Sequence, residues 1–488
     1  MIVCGIYVGE VKPKMNTYLK PFAVYMSRLK ASGGVKWTDP RNGAVRSSEV
    51  VCPVLSADAP ATAAALNEME LNLTLEPRKR IRRVRRFLYE DFHVPLRTGY
   101  RMEKQAEQAE ARRKSRKGVV GTSVLSSMPE VDRAVCVCAE YLHQVCLGVT
   151  KYFLNLMFFE KGPWYVGDNL EHINMFLLSI RVPDFVKRRP RGMDKFSYLI
   201  GSEFRSLLLF YSLPALQAYL PDRYFQHWLV LVEAIYLLLQ DSISEVDLKA
   251  AEILLRLFVR DINELYGPKY YTYNVHSLLH LPLLVERWGL LWATSSFCFE
   301  KFNHFIITHI HGTKHVGKEL LNNVKIIQSV QVFENVIEAR KLCVNPGMRD
   351  VMVCSKVLSN DCLPDGGEMI ISDAGITSYK LYSRVKIEGV LYSSRCYDAS
   401  KKRANSFVQS KPIDAAHTMT YGEVLCYLCD CDTNSVFCLL MAYQAVHTKI
   451  LFHYESRLKV QHLVPVHPSE DVILIPVSCI QNQSYQGW

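Results

Sequence analysis

The sequence predicts a mixed α/β and α chain that ends in a β-rich domain. Three observations predict it. Residues 1–70 alternate short apolar runs with helix-period stretches, and residues 131–345 carry long stretches of helical spacing. From residue 350 to residue 488 the pattern shortens to alternating runs separated by turn residues.

Each element follows from its local pattern. "MIVCGIYVG" reads as a short strand. "MNTYLKPFAVYMSRLKAS" reads as a helix with Asn16 or Thr17 as its cap. Val50 to Leu55 reads as a buried strand, then Asp58, then a helix with Pro60 in its first turn. An aspartate just past the carboxyl end of a buried strand is where open α/β sheets place their chemistry. Residues 71–130 differ in character: "RKRIRRVRR", then "EKQAEQAEARRKSRKG" with acids early and bases late, then the small, polar "GVVGTSVLSSMPE". This stretch reads as a mobile insertion ending in a linker. "AEYLHQVCLGVTKYFLNLMFF", "DKFSYLIGSEFRSLLLFYSLPAL", "DRYFQHWLVLVEAIYLLLQ", "SEVDLKAAEILLRLFVRDINELYG" and "NVHSLLHLPLLVERWG" read as helices. "SYKLYSRVKIEGVLYSS", "GEVLCYLCDC" and "DVILIPVSCI" read as strands.

The chain has 488 residues, 49% of them hydrophobic, enough for a large core and more than one domain. Its fifteen cysteines are scattered, which favours reduced, buried thiols over a disulfide framework. No stretch has the form of a signal peptide, and the most apolar runs are too short or too interrupted to span a bilayer. No membrane partner is expected. The net charge is +10, and between Arg78 and Lys117 fifteen Lys/Arg stand against five Asp/Glu, so the entire surplus lies there. Arg78, Lys79, Arg80, Arg82, Arg83, Arg85 and Arg86, with Arg112, Arg113, Lys114, Arg116 and Lys117, are the candidate phosphate contacts. The expected partner is DNA, with self-association beside it, and the expected location is nuclear, otherwise cytoplasmic. Few aromatics accompany the basic runs, so base stacking is not indicated.

Several stretches, in order, resemble the transposases of CACTA-type (En/Spm-like) DNA transposons. They are "IVCGIYVGEVKP", "LSADAPATAAAL", "EYLHQVCLGVTKYF", "SEFRSLLLFYSLPALQAYLPDRYFQHWLVL", "LYGPKYYTYNVHSLLHL", "SSFCFEKFNHF" and "YGEVLCYL". The resemblance covers most of the chain outside 71–130. It implies a partial RNase H-like core interrupted by a large helical insertion, and DDE-type DNA strand cleavage and transfer. Three carboxylates around two divalent ions carry that chemistry, and Mg2+ is the cofactor if the chain is active. It implies Asp58 as the second acid and Glu300 as the last, with Glu203 in "SEFR" as the competitor. Glu140 and His143 stand at the family's Asp-x-x-His segment, with glutamate replacing aspartate. The family's first aspartate is expected upstream of "IVCGIYVG", where this chain begins. Its Cys-x-x-Cys pair is expected between Asp58 and Glu140, where no cysteine lies between Cys52 and Cys136.

These departures favour a domesticated, catalytically incomplete derivative that retains nucleic-acid binding. The alternatives are an N-terminally truncated form of an active metal-dependent transposase, and a host protein-interaction module. Other clusters have plainer readings. His304, His309, His311 and His315 read as a solvated helix end, Cys426, Cys429 and Cys431 as buried strand thiols, and His276 with His280 as one face of a packed helix. No resident metal or cofactor is otherwise expected.

Overall fold

Apolar residues at helical spacing make Met15–Ala31 a helix, α1, that buries Ala23 and Met26. This computed structural model describes residues 13–39, 42–52, 54–56, 59–66, 97–128, 130–138, 140–308, 310–312, 315–344, 351–411, 420–446, 462–464 and 466–483. The "MIVCGIYVG" run, Asp58 and Arg78–Arg86 therefore lie outside the described residues. α1 starts after Lys14 with no side-chain cap. Asn16, one of the two expected caps beside Thr17, spans to another loop instead. Its Nδ2 donates to the Thr122 carbonyl at 2.9 Å, and its Oδ1 accepts from the Val124 N–H at 2.9 Å.

An antiparallel hairpin follows, β1 (Val35–Thr38) and β2 (Val45–Ser48). Both strands are exposed throughout, so no inside-outside alternation marked them in the sequence. The strand expected over Val50–Leu55 shrinks to one parallel bridge, Leu55 with Val137. The run contains a proline, which has no N–H to give a ladder. The helix expected next is present, α2 (Ala59–Ala65), with Pro60 in its first turn.

The expected mobile insertion is corrected over residues 97–128. Gly99–Arg112 forms α3, which starts at Thr98, whose hydroxyl accepts the Arg101 N–H at 3.4 Å. Small residues at helical spacing give it a close-packing face: Ala106 and Ala109 are buried, with Met102 on the same side. Its acids hold the chain that follows. Ser126 Oγ donates to Glu103 at 2.7 Å, and the Thr122 N–H donates to Glu110 at 2.7 Å. The Thr122 bonds hold the Glu110 carboxyl below its usual range. The expected linker contains a 3-10 turn, Val124–Ser127, and delivers Leu125 and Met128 to a core shared with Ala23, Met26, Ala65, Leu66 and Cys136.

In the helical stretch, Tyr141–Thr150 is a π-helix that runs on into α4 (Lys151–Phe159). Glu245–Leu265 is capped by Ser244 and Asp247 reciprocally. One expected helix is broken and another changes winding along its length. The run from Asp194 to Leu216 divides into a 3-10 turn, Met193–Tyr198, and a helical segment from Gly201. "NVHSLLHLPLLVERWG" is helical from Tyr273 to Trp288, α over Tyr273–Ser277, 3-10 over Leu278–His280 and α again over Leu281–Trp288 with Pro282 at its start. Among the described residues no helix is long and apolar enough to cross a membrane.

The chain divides into two compact units, Met1–Leu154 with Val230–Val344, and Asn155–Leu229 with Asn345–Trp488. The stretch 131–345 thus serves both units rather than forming one block. Beyond the β1–β2 hairpin, the described strands lie in the second unit, as antiparallel sheets. Its strands are β3 (Val351–Val353), β4 (Val357–Leu358), β5 (Tyr379–Tyr382), β6 (Arg384–Ile387), β7 (Val390–Ser393), β8 (Phe407–Ser410), β9 (Thr420–Asp430), β10 (Val436–Ala445), β11 (Val466–Pro476) and β12 (Ile480–Gln483). The larger sheet runs β11-β10-β9-β5-β4, with β8 also on β9 and β12 on β8; the smaller runs β3-β6-β7. β9 is buried along most of its length, because one apolar cluster around Val424 and Tyr427 and another around Leu425 and Leu428 cover its two faces.

If α3 were free in solution, shortening Met102 would cost nothing. Met102 is 3% exposed, and Met102→Ala is expected to lower stability by about 2–3 kcal/mol. Urea unfolding of the full chain measures it; an unchanged midpoint would mean that α3 is not packed.

Candidate active site

Glu140 directly precedes the π-helix and is 1% exposed. A buried carboxylate must be hydrogen-bonded or neutralised, and this one is surrounded by N–H donors. Its Oε2 accepts from the His143 backbone N–H at 2.5 Å and from His143 Nδ1 at 2.5 Å. Its Oε1 accepts from the Ser296 backbone N–H at 3.1 Å. Burial alone would raise its pKa. The bonds and positive charge of His143, with the Ser296 N–H, outweigh that and hold it below the usual carboxylate range.

Ser296 opens the helix Phe297–Thr308, its carbonyl accepting the Glu300 N–H at 2.9 Å. One turn along, Glu300 Oε1 stands 3.0 Å from His143 Nε2. The bonds close a ring: Glu140 to His143, His143 to Glu300, one helical turn back to Ser296, and Ser296 to Glu140. With Nδ1 turned to Glu140, Nε2 is the atom that meets Glu300. An imidazolium donates from both nitrogens; a neutral ring leaves Nε2 as an acceptor. The strand stub enters the same place. Ser56 Oγ donates to the Thr294 carbonyl at 2.6 Å, and Cys138 Sγ lies 3.5 Å from the Leu55 carbonyl. Burial raises the Cys138 thiol, partly offset by Ser56 and Thr294, so it is no ready thiolate.

Gly148 lets the π-helix pass this point. A Cβ there would lie 2.6 Å from Asn274 Nδ2 and 2.7 Å from the His143 carbonyl. The side-chain amide can move aside, but the backbone oxygen of the histidine's own turn cannot.

Three of the predicted site residues, Glu140, His143 and Glu300, thus come together. Asp58 lies outside the described residues, two positions beyond Ser56 in sequence. Glu203 does not join them. It belongs to the second unit, where Arg191 grips it at 2.6 Å through both Nε and Nη2 and the Ile200 N–H donates at 3.0 Å. That pairing raises the Arg191 pKa and makes Glu203 a structural ion-pair partner. Sequence reasoning missed Ser296 and Ser56; the run Thr294-Ser295-Ser296 before an apolar helix was the available signal, since these are capping residue types.

The other clusters resolve individually. His276 and His280 face one another with Nε2 atoms 3.2 Å apart. Burial, then the neighbouring imidazole, pushes His276 down to about 4. His304, His311 and His315 are exposed, and Glu319 accepts the His311 backbone N–H at 2.9 Å; His309 lies outside the described residues. The strand-thiol expectation is corrected in part. Cys426 is buried and pushed up to about 12 by burial, whereas Cys429 is half-buried and Cys431, past the end of β9, is exposed. Of the basic run, Arg112–Lys117 closes α3, with Arg113 in the left-handed region at φ 48°.

Among the described residues no group of three His, Cys, Asp or Glu is placed to hold a metal ion. Both oxygens of Glu140 already accept N–H groups, and the His143 ring stands between the two carboxylates. This donor set does not fit a hard cation such as Mg2+, which takes oxygen ligands and keeps waters. It fits a group that holds and passes a proton between carboxylate and imidazole. In comparisons with known proteins, no family model and no curated sequence matches the chain.

Glu140→Ala would strip the acceptor from buried N–H groups, and is expected to cost about 2–4 kcal/mol in urea unfolding. Because the folded pKa of Glu140 is depressed, its contribution is full above the ordinary carboxylate range. That contribution is lost as pH falls through the depressed value, so the variant should show a flatter acid limb. An identical acid limb would mean that Glu140 carries no linked stability.

His276 acts at a higher pH. The unfolded chain takes up a proton near 6.5 and the folded chain only near 4, so stability falls as pH drops through that window. His276→Gln is expected to flatten the unfolding profile between those values. An imidazole titration of His276 by NMR should have its midpoint near 4; a midpoint near 6.5 would refute the assignment.

Proposed function

We propose that the chain is a transposase-derived protein with a partial RNase H-like core interrupted by a helical insertion. In this reading its acid site is catalytically incomplete and its nucleic-acid binding is retained. The observation that carries the reading is the convergence of Glu140, His143 and Glu300. They come from two of the segments that resemble CACTA-type transposases, and the stub at Leu55–Ser56, from a third, is bonded to the same place. Glu300 rather than Glu203 is the last acid of this set. The ring of bonds favours a structural use of the acids, because His143 and Ser296 engage the oxygens that a two-ion mechanism would leave open. DNA is the proposed partner through Arg78–Arg86 and Arg112–Lys117, and the nucleus is the proposed location.

The convergence also favours a second reading, an active metal-dependent recombinase in which His143 moves aside. One experiment separates the two. The full chain is titrated with duplex DNA of several sequences between 0.05 and 0.2 M salt, ranges of about the size where phosphate contacts dominate. It is then incubated with DNA and Mg2+ or Mn2+. The proposed reading expects affinity that falls steeply with salt, is indifferent to sequence, and weakens in a variant with Arg112, Arg113, Lys114, Arg116 and Lys117 changed to Ala. Salt-independent or absent binding would sink it. Metal-dependent strand cleavage that disappears in Glu300→Gln would put the recombinase reading in its place.

A further inference from the structure

We propose that the second unit carries its own binding surface for the phosphate backbone of a nucleic acid, built from Lys187, Arg188, Arg189, Lys401 and Lys402. The two tracts that form it, "VKRRPR" and "KKR", are short and distant in sequence; Arg403 and Lys187 are 216 positions apart. Outside Arg78–Lys117 the charges balance in total, so neither tract shows in the net charge.

Folding joins them through guanidinium groups that cap carbonyls. Arg403 Nη1 donates to the carbonyls of Pro183 at 2.9 Å and Val186 at 2.6 Å, and its Nη2 donates to Lys187 O at 3.0 Å. Arg181 Nη2 reaches the other way, donating to the carbonyls of Asp398, and of Lys401 and Arg403 at 3.2 Å each. Asn405 ties the same loops, giving its Nδ2 to Asp184 at 2.8 Å and accepting the Asp184 N–H at 2.8 Å. The joint is therefore specified by a set of directional bonds, and it sets the two basic tracts side by side.

The acids of the region are already engaged. Asp398 is buried and accepts from Ser393 Oγ and the Asn405 N–H at 2.7 Å each. Glu203 is held by Arg191, and Asp194 lies 3.3 Å from Lys195. Asp184 holds Asn405 and stands 3.8 Å from Arg403. Lys187, Arg188, Arg189, Lys401 and Lys402 are all exposed, and among the described residues none has a carboxylate within ion-pair distance. Five like charges held together without counter-charges repel one another, an arrangement that a polyanion relieves.

The surroundings favour a nucleic acid over other polyanions. Arg188 and Arg189 edge a recess that also includes Arg191 and Tyr211. Tyr198, whose carbonyl accepts from Arg191 at 2.8 Å, is 71% exposed. Guanidinium groups suit phosphate oxygens bidentately, and an exposed ring suits the face of a base. This surface is separate from the Arg78–Lys117 segment of the reading above, so the two are tested apart.

The test uses the full chain and fluorescently labelled duplex and single-stranded DNA of random sequence. One variant carries Lys187→Ala, Arg188→Ala, Arg189→Ala, Lys401→Ala and Lys402→Ala, leaving Arg181, Arg191 and Arg403 in place. Its affinity is expected to fall about tenfold or more at 0.1 M salt. The slope of log affinity against log salt is expected to drop by about 2–4, at roughly 0.9 per lost duplex contact. A variant with Lys187→Arg, Lys401→Arg and Lys402→Arg is expected to keep both. If the five-residue variant melts early, Arg188→Gln with Arg189→Gln replaces it, with about half the change in slope expected. Unchanged affinity and slope in a folded variant overturn the proposal. So does loss of binding to phosphatidylserine vesicles with DNA binding intact. If instead only the Arg112–Lys117 variant weakens DNA binding, this surface is refuted while the reading of the basic segment stands.

Discussion

The first unit depends on one buried carboxylate. Glu140 cannot sit in an apolar interior without donors around it, and the fold supplies them from two helix starts. One is the first turn of its own π-helix; the other is the first turn of Phe297–Thr308. Helix starts present unsatisfied N–H groups, so each relieves the other's deficit through a shared anion. His143 and Glu300 follow from this arrangement. Each lies within the first turn of its helix, and the common anchor fixes the distance between them. The helix that carries Glu300 has no buried residue of its own, so the Glu140 bond is a principal tie at its start.

The second unit solves a different problem with the same physics. It joins chain from before and after Val230–Val344, so its parts must find one another without short-range guidance. Apolar clusters on the two faces of β9 give the driving force but little direction. Direction comes from Arg181, Arg403, Asn405 and Asp398, whose bonds go mainly to backbone groups. A guanidinium that caps carbonyls leaves no unpaired acid behind. The positive charge of the region is therefore not cancelled by the contacts that build it.

How much of this was legible in the sequence depended on the kind of signal. The long amphipathic helices were plain, as at Glu245–Leu265, where period and capping residues agree. So was the β-rich end, because turn residues punctuate alternating runs. The residues of α3 were assigned to a mobile insertion, since the packing face of that helix is mostly alanine and too small to read as apolar. The hairpin at Val35–Ser48 escaped because both of its strands are exposed. Glu140, His143 and Glu300 were named from the resemblance and meet in space. Their link through Ser296 was not legible, because a backbone N–H leaves no mark in a sequence. The charge of residues 187–189 and 401–402 was hidden for another reason: each tract is short, and only the fold joins the two into one surplus.

The glutamate at position 140 shows how one methylene changes what a cap can do. Short side chains dominate at helix starts because aspartate, asparagine, serine and threonine reach only the N–H groups of their own first turn. A glutamate there is a poor local cap by that standard. Here its extra reach lets one carboxylate serve two helices, with Oε2 on His143 and Oε1 on Ser296. Gly148 then permits the ladder to close against the His143 carbonyl without a methyl group in the way. The extra methylene therefore has a positive structural use. It makes Glu140 a clamp between two helix starts, and the histidine it orients is held between two acids as a consequence of the clamping.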